Sequence, residues 1–136
     1  MTFLDTNVCL DLIANREPWH SDARRLVAYH IQWSVPLGFS VVSIPVLAYL
    51  IGRFHRDVNA ERVLADLTSF ISILDVTRSM AERAITIGWA DIEDALQHEC
   101  AVGNQSNCII TRNKADFVLS TIPVLTAEEW LKEFAG

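Results

Sequence analysis

At 136 residues, with 51% hydrophobic and 21% charged side chains, the chain has the size and composition of one compact domain, which excludes a disordered or low-complexity protein. A formal net charge of −6 excludes nucleic-acid binding driven by overall charge alone. The longest apolar stretch, Ile44 to Ile51, is broken by Pro45 and is far too short to span a bilayer, so no membrane association is expected.

Met1-Thr2-Phe3-Leu4-Asp5 carries neither a basic leader nor a small-residue cleavage site, and the chain reads as cytoplasmic. Thr2 to Asp5 is a short apolar stretch, too brief to assign alone, and Asp5-Thr6-Asn7 favours a turn and a helix start. Val8 to Ala14 reads as a short helix. His20 to Tyr29 reads as another, with Ala23, Leu26, Val27 and His30 on one side. Phe39 to Val42 is β-prone, and Ser43 is placed to cap a helix running to about Gly52, with Pro45 tolerated in its first turn. Asn59 to Phe70 is an amphipathic helix, Ile71 to Val76 a strand and Arg78 to Ile87 a helix. Asp91 to Val102 is helical, with Ile92, Ala95, Leu96 and Cys100 expected to face inward. Cys108 to Thr111 and Val124-Leu125 are further strands, and Thr126 to Glu129 has the spacing of a capping box. No linker or repeat divides residues 1–136, which read as one domain. Strands alternating with helices imply an α/β domain: a three-layer α/β/α sandwich around a mostly parallel sheet of four to five strands.

In such sheets ligands bind beyond the carboxyl ends of the strands, where strand order reverses. Carboxylates fall at that predicted edge: Asp5 after the first strand, Asp91 and Asp94 in one helix turn, and Asp116 past the fourth strand. Grouped carboxylates repel one another unless protons or a cation neutralise them, and an all-oxygen set suits Mg²⁺ or Mn²⁺. Each acid also has an ordinary structural use: Asp5 and Asp91 as helix N-caps, Asp94 beside a helix dipole, Asp116 in a turn. Arg53, His55 and Arg56 form one candidate phosphate-holding patch, Arg112 and Lys114 another. His98 reads as a solvated or hydrogen-bonded histidine, and the four tryptophans as packing anchors. The three cysteines lack ligand spacing and read as buried thiols.

Taken in order, Phe3-Leu4-Asp5-Thr6-Asn7, Asp91-Ile92-Glu93-Asp94-Ala95-Leu96-Gln97 and Ile109-Ile110-Thr111-Arg112-Asn113-Lys114-Ala115-Asp116-Phe117 resemble the acidic motifs of PIN domains. The resemblance runs from Thr2 to about Trp130 and implies a Mg²⁺- or Mn²⁺-dependent endoribonuclease acting on single-stranded RNA. It further implies the toxin of a toxin–antitoxin pair of the VapC type, held by an antitoxin protein and usually a homodimer. It places Asp5, Asp94 and Asp116 as catalytic and metal-binding residues, with Asp91 as an additional metal ligand. Asn7, Ser43, Thr111 and Asn113 become supporting polar residues, and Arg53, Arg112 and Lys114 substrate contacts. There is one departure: the family usually has a glutamate in the helix following the second strand, whereas Ser43 to Arg53 contains no acid and Tyr49 stands near that position. An uncharged tyrosine is a poor ligand for a hard cation. The alternative is therefore a catalytically degenerate PIN fold that binds RNA or a protein without cutting. A phosphatase or phospho-acceptor domain fits worse, because Asn7 stands where a second aspartate is needed and no strand end carries a suitable lysine.

Overall fold

The computed structural model describes residues Met1–Gly136. Five short strands form one parallel sheet: β1 (Thr2–Leu4), β2 (Leu37–Ser40), β3 (Ser72–Leu74), β4 (Cys108–Ile110) and β5 (Val124–Leu125), in the order β3-β2-β1-β4-β5. Seven helices connect and cover them: α1 (Thr6–Ile13), α2 (Trp19–Gln32), α3 (Ser43–Phe54), α4 (Ala60–Thr68), α5 (Arg78–Thr86), α6 (Ile92–Gly103) and α7 (Ala127–Trp130). The last continues as a π-helical turn over Leu131–Ala135.

Period-two alternation sends neighbouring strand residues to opposite faces. Leu4, Phe39, Cys108 and Ile110 join the larger core, where α1, α2, α3, α4 and α7 contribute Val8, Leu26, Leu47, Leu67 and Trp130. Phe3 and Ile109 turn to the other face, against Cys100 and Ala101 of α6, Leu74 and Phe117. Two helical layers thus sandwich the sheet, as the strand–helix alternation implies. No helix is long and apolar enough to cross a membrane.

Several local expectations shift. The second strand occupies Leu37–Ser40 rather than Phe39–Val42, because Gly38 and Ser40 pair with Ser72 and Leu74 of β3, and Gly38 also pairs with Phe3 of β1. Ser43 does not cap α3. It is the first helical residue and is fully buried, while the cap position, Val42, has no side-chain hydrogen bond. Ile92 is 53% exposed, whereas Gln97, His98 and Glu99 are buried, so α6 turns polar side chains inward. The expected cap Asp91 and the box of Thr126 with Glu129 form as read, and Asn59, read as the first residue of its helix, caps it instead.

Strand order reverses at β1: β2 and β3 lie to one side, β4 and β5 to the other. That is where a parallel sheet opens a crevice at its carboxyl edge.

Candidate active site

Leu4 is in register with Ile110, and the ladder runs on through Asp5, whose amide donates to the Ile110 carbonyl at 3.0 Å. Asp5 and Thr111 therefore leave the sheet side by side. The Thr111 hydroxyl donates to Asp5 Oδ2 at 2.8 Å, and the Thr6 amide donates to Oδ1 at 2.8 Å. Each carboxylate oxygen is held by one donor. Asp5 is 6% exposed, and burial raises its pKa to about 6 in spite of those two bonds, with Glu93 and Asp116 adding repulsion.

Asp94 sits in the first turn of α6, its amide donating to Oδ1 of the capping Asp91 at 3.1 Å. Its pKa is raised to about 7, first by burial and then by Asp91, Asp5, Asp116 and Glu93. Four acids from three segments therefore act electrostatically on one carboxyl. Asp116 lies in a 3-10 turn over Lys114–Phe117 and is exposed. Glu93 shares this field although its neighbours in sequence gave it no role, since one acid in a run of three reads as a solvated helix start. No three His, Cys, Asp or Glu side chains already converge as a ready-made cage. The donor set is all oxygen, and the raised pKa values mark a field short of positive charge, so the chemistry suits a hard divalent cation.

The supporting polar residues have distinct places. Asn113 donates its amide to Thr111 Oγ1 at 3.1 Å, and Asn7 Oδ1 lies 3.5 Å from the Arg112 amide. The Ser43 hydroxyl meets that of Thr6 at 2.7 Å, and Gln97 Nε2 donates to both at 3.1 Å. Gln97 was legible only as one turn beyond Asp94, and its partners lie too far off in sequence for spacing to reveal them.

The basic residues divide sharply. Arg112 Nε donates to Oδ2 of buried Asp11 at 2.7 Å, and its guanidinium lies 4.1 Å from the Trp19 ring centroid. Lys114 binds Glu129 at 2.8 Å and holds that carboxyl below its ordinary range. Both cations have carboxylate partners in the chain, Arg112 a buried one and Lys114 one that is half exposed. Arg53 is exposed, 5.5 Å from the ring centroid of Phe54, and pairs with no acid. Tyr49, near the position where an acid is absent, is 65% exposed.

Of the two readings of His98, the hydrogen-bonded one holds. His98 is buried, its Nε2 accepts from the Thr121 amide at 3.1 Å, and its ring lies 4.7 Å from that of Trp89. Trp130 and Trp89 pack as expected, whereas Trp19, beneath the Arg112 guanidinium, is 42% exposed and Trp33 is 62% exposed. All three cysteines are free and buried.

A family model described as the PIN domain matches residues 2–115. The chain belongs to the PIN-domain family. Solved structures repeat the architecture. A toxin–antitoxin complex from Klebsiella pneumoniae is 22% identical with a TM-score of 0.67, covering 93% of this chain and 98% of that one. VapBC2 from Rickettsia felis, bound to a DNA fragment from its promoter, is 17% identical with a TM-score of 0.64, covering 91% and 96%. VapC20 from Mycobacterium tuberculosis, described as a sarcin-ricin loop cleaving toxin, is 19% identical with a TM-score of 0.63, covering 80% and 87%. At these identities the likeness is one of fold. No curated protein matches the sequence.

Proposed function

We propose that this PIN domain is a Mg²⁺- or Mn²⁺-dependent endoribonuclease acting on single-stranded RNA, and that it serves as the toxin of a toxin–antitoxin pair. The observation that carries the reading is the gathering of acids where strand order reverses: Asp5 is held by Thr111 at the carboxyl end of β1, and Asp91, Asp5, Asp116 and Glu93 add repulsion to the burial that raises the Asp94 carboxyl. Such a field costs stability in the free protein and favours uptake of a cation.

Asp5, Asp94 and Asp116, with Asp91 beside them, would hold the ion, and Thr111 and the Thr6 amide keep Asp5 in one orientation for it. A bound divalent ion supplies Lewis acidity toward a phosphate and a more acidic water. Mg²⁺ keeps several of its own waters and takes only one or two carboxylates directly. Arg53 is exposed and pairs with no acid, which makes it the best candidate of the expected set for a backbone phosphate. The antitoxin partner, the homodimer and the cytoplasmic location belong to this proposal. The likeness to the toxin–antitoxin complex from Klebsiella pneumoniae supports the first.

The test is cleavage of single-stranded RNA by purified protein with Mn²⁺ or Mg²⁺. Asp5→Asn and Asp94→Asn each abolish cleavage while the melting transition persists, and chelation stops the wild type. Unchanged cleavage in both variants contradicts the assignment. The absence of any acid from α3, with Tyr49 turned to water, favours a second reading in which the fold binds RNA or a partner without cutting. Saturable binding with no metal-dependent cleavage is its signature.

A further inference from the structure

We propose that Gln97 is a positioning residue for the acidic cluster: through Thr6 and Ser43 it fixes the helix bearing Asp94 against the helix start bearing Asp5. This rests on the reading of that cluster as a divalent-cation site.

Gln97 lies on α6 three residues beyond Asp94, on the same side of the helix, and is 1% exposed. Its Nε2 donates to Thr6 Oγ1 and to Ser43 Oγ, both at 3.1 Å, and those hydroxyls are 2.7 Å apart. Thr6 follows Asp5 directly, and its amide is one of the two donors that hold the Asp5 carboxylate. A shift of Thr6 is therefore a shift of Asp5.

The layers give the tie its reach. α1 and α3 bury their apolar residues in the core on one face of the sheet, whereas α6 buries Cys100 and Ala101 in the core on the other. The three polar side chains join these two layers near the carboxyl end of β1, and two of the three links span 54 and 91 residues of sequence.

Gln97 joins Thr6 and Ser43 by bonds that fix direction as well as distance. An apolar contact leaves two helices free to slide, whereas three directional bonds do not.

The experiment is a calorimetric Mn²⁺ titration of wild type, Gln97→Leu, Thr6→Val and Thr6→Ser, with thermal melting as the check on folding. Gln97→Leu and Thr6→Val bind Mn²⁺ about tenfold more weakly, as is usual when a residue supporting a metal ligand is lost. Thr6→Ser, which keeps the hydroxyl, binds as wild type does. Wild-type affinity in folded Gln97→Leu or Thr6→Val overturns the proposal. Should Gln97→Leu fail to fold, Thr6→Val, which leaves the amide in place, decides. Should wild type bind no Mn²⁺, the cation-site reading falls, and crystal structures of wild type and Gln97→Leu judge the tie alone. An unchanged Asp5–Asp94 separation overturns it, and an altered one supports it.

Discussion

Asp94 takes up its proton near pH 7 in the folded chain and near 3.8 when unfolded, so between those values the folded state binds more protons. Stability from this group is then fully present below about pH 4 and is lost as pH rises through 7, the reverse of an ordinary salt-bridged aspartate. Asp91, Asp5, Asp116 and Glu93 supply the repulsion after burial, and Asp5, raised to about 6, acts in the same direction. Metal-free Asp94→Asn should therefore show a flatter decline in melting temperature between pH 5 and about 7.5 than wild type, and a higher value at the upper end. Parallel curves would show that the acids do not share a field. Arg112 gives a second test at this scale. Its partner Asp11 is 1% exposed, and the other nearby guanidinium, Arg16, stands 3.8 Å away. Arg112→Ala leaves a buried carboxylate poorly compensated and should cost about 3 kcal/mol in denaturant unfolding. A loss within about 0.5 kcal/mol would return Arg112 to the surface cations. The sequence displays the acids, because their type and spacing are their chemistry. It hides the commitments of Arg112 and Lys114, since the partner that neutralises a cation lies fifteen residues away for Lys114 and 101 for Arg112.

Among the elements, those with strong local signals were readable. The helices capped by Asn59, Asp91 and Thr126 begin where cap chemistry puts them, because the cap and its amide partner sit within one turn. β2 was displaced because pairing, not propensity, sets its limits. Gly38 lies between β1 and β3, where a Cβ would come within 2.7 Å of Leu74 Cδ1 and 2.9 Å of Met1 Sδ. Gly38→Ala should destabilise by about 1–3 kcal/mol, read as a lower denaturation midpoint with unchanged slope. A neutral result would mean that Leu74 and Met1 yield freely. α6 runs as read, with Ala95 and Cys100 buried, but its inward face is wider than its apolar positions show. Hydrophobic periodicity finds apolar faces, but Gln97, His98 and Glu99 are buried against Thr6 and Ser43, Thr121, and Arg83 respectively, partners that no window of α6 contains.

At the scale of the whole molecule, the three acidic motifs lie far apart in sequence, and the strand order gathers them. Because β1 and β4 are neighbours, residues 5 and 111 meet, and α6, crossing the face behind them, brings residue 94 to the same edge. This placement was legible in advance because parallel sheets site their ligands at the carboxyl edge. The closing test is a calorimetric titration of Mn²⁺ into the metal-free protein, wild type against Asp94→Asn. The account predicts saturable binding by wild type and its loss in the folded variant. Equal binding by both, or none by wild type up to millimolar ion, would contradict it.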